Sequence, residues 1–283
     1  MRHILLISLL IPCFAGAETS LWRVKQGSHQ VIIGGTIHLL GKSDYPLPDE
    51  FEQAFREADS LVLEADLAEL STPDNQAKLA QSLVYPKGTT LKSQINSKTY
   101  RALTRYCKAS DLEASTMLTM KPSLVVITLT MAELQRLGLA NSGVDQFYFD
   151  KAKKSGKPVT SLESAATQIQ ALVSMGKGHE NELILSTIKE LKSMPKFTLA
   201  IKQAWRNGNL AELEQIGIKT MQTEFPEMNQ TLLTTRNNAW LPKIKAMLAT
   251  PGRELILVGT LHLAGKDGVL AQLQQQGYVV EQY

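Results

Sequence analysis

Apolar residues along the chain fall into two patterns. Val31-Ile32-Ile33, Leu61-Val62-Leu63 and Leu255-Ile256-Leu257-Val258 are short unbroken runs ending in Gly or an acid, as expected of strands buried on both faces, the second within a strand from Ser60 to the carboxylate of Asp66. Leu21-Trp22-Arg23-Val24 alternates, and the turn Gln26-Gly27-Ser28-His29 joins it to the next run as a hairpin. The second pattern is helical. Phe51, Ala54, Phe55 and Ala58 share one face of a helix opened by Pro46 and Pro48. Strand, helix and strand within about 35 residues make a βαβ unit, which favours a parallel sheet.

The middle of the chain reads differently. Residues from about 67 to 140 are predicted helical, broken at Pro73, Pro86-Lys87-Gly88 and Pro122. Leu124 to Leu137 is apolar almost all round, predicting a helix buried on every side and stopped by Gly138. Ser142-Gly143-Val144-Asp145 opens another helix, and Lys157 to Glu163 reads as a third short strand with a carboxylate at its tip. Ala165, Ile169, Leu172 and Val173 form the next apolar stripe. A second helical stretch, about 178 to 248, has hinges at Pro195, Gly208 and Pro226. Helix and strand signals return at Val269 to Leu273 and Tyr278-Val279-Val280. The expected fold is α/β: a central, mostly parallel sheet built from βαβ units at the two ends of the chain. Large helical insertions form a cap within a single domain over 18–283.

One phrase occurs twice. Gly35-Thr36-Ile37-His38-Leu39 follows the first apolar run, and Gly259-Thr260-Leu261-His262-Leu263 follows the last, each with a Gly two residues on. Gly at a strand end allows a sharp turn or a close approach. Ligands in open α/β sheets sit beyond the carboxyl ends of the strands. His38, Glu64, Glu163 and His262 all stand at such ends. Two imidazoles with one or two carboxylates suit a divalent metal that keeps a position open for water. Each residue also has a plainer reading. A histidine at a strand end is often only hydrogen-bonded, and Glu64 could be a solvated terminus. Ser142-x-x-Asp145 matches a capping box, and Glu163 could favour the N-terminus of the next helix. Arg236-Asn237, with Trp240 one turn on, could be a polar helix face or a clamp for a carboxylate or oxyanion.

Composition narrows the classes. The 283 residues are 43% hydrophobic, enough for a substantial core. Met1-Arg2-His3, the apolar run Ile4 to Ile11 and Ala15-Gly16-Ala17 make a signal peptide cut after Ala17, which predicts a periplasmic or secreted protein. Cleavage removes Cys13 and leaves Cys107 without a disulfide partner. It also removes Arg2 from a formal charge of only +3, which gives no basis for nucleic acid as a partner. No run after the signal peptide suits a membrane anchor. No Gly-x-Ser-x-Gly elbow, phosphate loop, dinucleotide fingerprint or His-Glu-x-x-His occurs.

These residues together resemble the TraB/GumN family. The opening carries Leu21-Trp22-Arg23-Val24, Gly35 to Leu39 and Leu63-Glu64-Ala65-Asp66. The middle carries Met120-Lys121-Pro122, Gly143-Val144-Asp145 and Lys157 to Glu163, followed by Gln168. Arg236-Asn237, Trp240, Val258 to Leu263, Gly265, Gly268 and Gly277-Tyr278 complete the resemblance. Ser123 departs from it, because the family often has Trp there. The resemblance extends to Tiki-like proteases, which are metal-dependent and carry paired Gly-x-x-His motifs. It also takes in erythromycin-esterase-like enzymes and a haem-binding group.

The resulting expectation is an exported metal-dependent hydrolase acting on a peptide or small molecule. A divalent transition metal (Mn, Co or Zn) is expected on His38, His262, Glu64, Asp145 and Glu163. Glu64 is a candidate general base, with Arg236 and Asn237 binding substrate or its oxyanion. The alternative is a non-catalytic protein that sequesters a peptide signal or haem in the same pocket.

Overall fold

The computed structural model describes residues 19–139 and 141–283; the signal peptide expected over 1–17 lies outside them. Among the described residues there are eight strands: β1 (Leu21–Gln26), β2 (His29–Thr36), β3 (Leu39–Leu40), β4 (Ser60–Ala65), β5 (Asn141–Ser142), β6 (Val159–Glu163), β7 (Glu254–Gly259) and β8 (Val279–Gln282). Six of them form one sheet in the order β6-β4-β7-β2-β1-β8, while β3 and β5 pair separately. β6, β4, β7 and β2 run parallel; β1 and β8 are antiparallel additions at one edge. The βαβ unit expected from β2 to β4 exists, but β7 from the far end of the chain inserts between its strands. That insertion seats Thr36 opposite Gly259, so the two repeated phrases leave the sheet side by side.

The unbroken apolar runs follow from cover on both faces. Leu255 and Leu257 pack with Phe51, Tyr148 and Trp205 on one side, under the helices Asp49–Glu57 and Val144–Ser155. Ile256 and Val258 point the other way, onto Trp240, Ile244 and Leu270 from the helices Thr235–Leu248 and Val269–Gln275. Neither face can carry polar residues without burying them unpaired.

The cap has its own core, in which Leu91, Leu103, Val125, Leu129 and Ile184 meet. Three details differ from the sequence reading. The helix Pro122–Arg136 buries Val125 and Leu129 but leaves Met131 43% exposed, so it is not enclosed on every side. Pro195 sits in the first turn of Met194–Arg206, where its missing N–H costs nothing, so it starts a helix instead of bending one. Asp66 does not end a strand. Its carboxylate caps the short helix Leu67–Leu70 by accepting from the N–H groups of Ala68 and Glu69.

Candidate functional site

The parallel strands β6, β4, β7 and β2 aim their carboxyl ends at one polar cluster whose centre is Arg236. The guanidinium donates through Nε to both oxygens of Glu163 (3.1 and 3.0 Å). Nη2 donates to Glu163 (2.7 Å) and to Glu64 Oε2 (2.6 Å). Nη1 donates to the Leu232 carbonyl (3.0 Å) and to His262 Nε2 (3.1 Å). All five N–H groups of the side chain are thereby engaged inside the protein. The indole N–H of Trp240 donates to Glu163 (3.0 Å), and the guanidinium lies over the Trp240 ring at 4.9 Å. Arg236, Glu64 and Glu163 are all buried, so each charge depends on the others for its solvation.

His262 is held as one neutral tautomer. Asn237 Nδ2 donates to the Asp267 carbonyl (2.8 Å), which turns Oδ1 toward the ring, where it accepts from His262 Nδ1–H (2.6 Å). Nε2 is left with a lone pair, the one Arg236 meets. Burial is the main reason its pKa falls, to about 4, with Arg236 and His38 acting in the same direction against Glu64. For Glu64, burial pushes upward, but His262 (protonated in the acid range where this carboxyl titrates), Arg236, His38 and the Gly259 N–H together pull it down to about 2. That N–H reaches Oε1 at 2.5 Å, and Gln168 reaches Oε2 at 3.3 Å.

His38 has the same local sequence as His262 but a different setting. It lies at the rim with its side chain 68% exposed, and Nδ1 meets Asp145 Oδ2 at 2.8 Å. Asp145 therefore serves His38 and not the helix end; the helix Val144–Ser155 is entered through Gly143, without a side-chain cap. The Asp145 carboxylate raises the pKa of His38 above the ordinary histidine range, although water screens so exposed a pair. Gly143 is required here, since a Cβ on it would collide with the carbonyls of Ile37 and His38.

A single point relates the two halves. A Cβ built on Gly259 would lie 3.1 Å from Glu64 Oε1, 3.6 Å from His262 Cδ2 and 3.7 Å from His38 Nε2. The missing side chain leaves a gap that all three groups face. Two of the three, His38 and Glu64, also line a cavity of about 210 Å³ with Gly143, Asp145, Gln146 and Gln168, among others; Gly259 and His262 are not part of that lining.

The expected residues therefore assemble, in two sets. Arg236, Asn237, Glu64, Glu163 and His262 form the buried set, while His38 and Asp145 form the rim. Sequence reasoning missed Gly259 and Gly143 as spacers and Gln168 as a partner of Glu64. Among the described residues, no group of three or more His, Cys, Asp or Glu side chains is placed so that it could hold a metal ion. The donor chemistry at the gap nonetheless fits a divalent metal. Among the described residues, His38 Nε2 makes no hydrogen bond and Glu64 Oε1 accepts only the Gly259 N–H; His262 Nε2 is 3.7 Å from that oxygen. The third donor requires Arg236 Nη1 to move off His262.

YbaP of Escherichia coli (strain K12) is 28% identical over 249 residues, covering 87% of this chain and 88% of its own. YbaP of Shigella flexneri is 29% identical over 241 residues, covering 84% and 85%. Both are described as uncharacterized. No solved structure gives a significant match. The model of the TraB/PrgY/gumN family matches residues 20–282, and the chain belongs to that family.

Proposed function

We propose that the chain is an exported hydrolase acting on peptides, with His38, Glu64 and His262 as its reacting set. The observation that carries this reading is their convergence, from strands at opposite ends of the sequence, on the gap left by Gly259. A divalent transition metal (Mn, Co or Zn) would be held by His38 and Glu64, with His262 as third donor, and would supply water of pKa near ~7 and polarise a carbonyl.

The remaining chemistry belongs to the chain itself. Glu64 stays ionised at neutral pH, as a metal ligand must, and a carboxyl held this low is a weak base, so its role here is as ligand. Asp145 fixes the ring of His38 so that Nε2 faces the reacting space. Arg236 and Asn237 hold Glu64 and His262 in place, and Arg236 can reach a substrate oxyanion only by releasing His262 or Leu232. Glu163 anchors Arg236 in turn. The basic tip, apolar run and small residues of the first 17 positions support export.

The complete engagement of Arg236 also favours a second reading, a binder that holds a peptide signal or haem without turnover. A peptide-library cleavage screen read by mass spectrometry, after chelation and after adding back each metal, separates the two. The hydrolase reading expects cleavage that chelator removes and metal restores. Binding without cleavage under any metal, or a visible band on adding haem, would favour the binder.

A further inference from the structure

A cavity of about 560 Å³ lies in the cap; Leu232, whose carbonyl accepts from Arg236, is part of its wall, while the side chains of the polar cluster are not. Its wall is formed by Met175, Met194, Met221, Met228, Phe197 and Phe225, among others. A lobe of about 160 Å³ shares Met175, Phe225, Met228 and Leu232 with it and ends beside Lys177 and His179. The two cavities adjoin along that shared wall, as an apolar channel edged by polar groups.

Four features indicate an occupant. The volume falls in the range of about 300–1,000 Å³ typical of sites that enclose a whole small molecule, well beyond one amino-acid side chain. Four thioethers give a wall that adapts to a flexible chain, where branched side chains would impose a fixed shape. Two π-helical turns, Glu214–Ile218 and Gln230–Thr234, bring Ile216 and Leu232 to the channel; such turns are rare and recur at functional sites. At the narrow end, Lys177 is exposed and makes no salt bridge among the described residues, although exposed Glu227 shares the rim. The wide end carries Lys189, Glu190 and Glu224, and Glu190 is engaged by Ser186.

We propose that this channel binds an amphiphile with one unbranched apolar chain and an anionic head, the chain between the methionines and the head at Lys177. The assignment does not depend on hydrolysis at the polar cluster, and its readout needs no turnover.

Calorimetric titration of the purified protein with octanoate, decanoate and dodecanoate tests it. Saturable binding of one molecule per chain is expected, tightening by up to about fourfold for each added CH₂ until the channel is full. Met221→Trp and Met228→Trp, each checked for folding by circular dichroism, should weaken dodecanoate at least tenfold. Lys177→Glu should weaken dodecanoate more than dodecanol. Uptake without saturation, affinity independent of chain length, or unchanged affinity in both tryptophan variants would overturn the proposal. The chain-length series uses the unaltered protein, so the test survives if a variant fails to fold.

Discussion

Replacing Arg236 by Met should be among the most costly single changes in the molecule, and its cost should depend on pH. The substitution keeps much of the stem's packing but removes the cation serving two carboxylates whose side chains are 8% and 5% exposed. Removing one partner of a buried ion pair costs about 3–5 kcal/mol, because the remaining charge has no solvent to return to. The pH dependence follows from Glu64. Its folded pKa of about 2 lies below its ordinary 4.5, so the native pair contributes stability above pH 4.5 and loses it as pH falls toward 2. Without Arg236, burial prevails and pushes that carboxyl upward, so the variant suffers most at neutral pH and recovers as Glu64 takes up a proton. Urea denaturation at pH 7 and pH 4 is the assay. With a slope near ~3 kcal/mol/M, the midpoint at pH 7 should drop by about 1–1.7 M, and by clearly less at pH 4. A loss below about 1 kcal/mol at pH 7, or an equal loss at both pH values, would refute the charge argument.

Further predictions concern the histidines and their spacer. In a ¹H–¹⁵N titration of the metal-free protein, His38 should gain its proton above pH 6.5, and Asp145→Asn should bring it back toward that value. Because the pair raises the folded pKa, its contribution to stability is full below pH 6.5 and fades as pH rises through the higher value. An unchanged His38 titration in Asp145→Asn would remove the pair from the account. His262 should remain the neutral Nδ1–H tautomer from pH 7 down to about pH 5, and Asn237→Ala should abolish that fixed tautomer. Gly143→Ala should cost about 1–3 kcal/mol in thermal melts and displace His38, since the methyl group enters space held by two backbone carbonyls. A Gly143→Ala protein with native stability and an unshifted His38 resonance would contradict that packing.

Much of this arrangement was legible in the sequence because its causes are local. Unbroken apolar runs mark strands covered on both faces, and the repeated Gly-Thr-x-His phrase brings two strand ends to one edge. What the sequence hid is set by contacts distant along the chain. His38 and His262 share a local sequence, yet one is exposed and the other buried, because only His262 sits beneath the helix Thr235–Leu248. Ser142-x-x-Asp145 has the spacing of a capping box, but an imidazole 107 residues earlier competes for the carboxylate and takes it. The inward aim of Arg236 could not be read from helical periodicity, since the π turn at Gln230–Thr234 shifts the phase just before it. The apolar surround of Pro122–Arg136 suggested full enclosure; instead Val126 and Thr130 face the cap cavity. A helix lining a void and a helix lost in a core have the same composition.

His38 carries the proposed chemistry on an exposed side chain whose loss should hardly touch the fold. The direct measurement is the peptide-cleavage rate of His38→Ala against the unaltered protein under matched metal, with thermal melts alongside. Stability should stay within about 0.5 kcal/mol, as for other surface substitutions, while the rate falls by about 100-fold or more, the scale of a lost proton-transfer or ligand group. A His38→Ala protein that cleaves at the original rate would show that the reacting set has been misplaced.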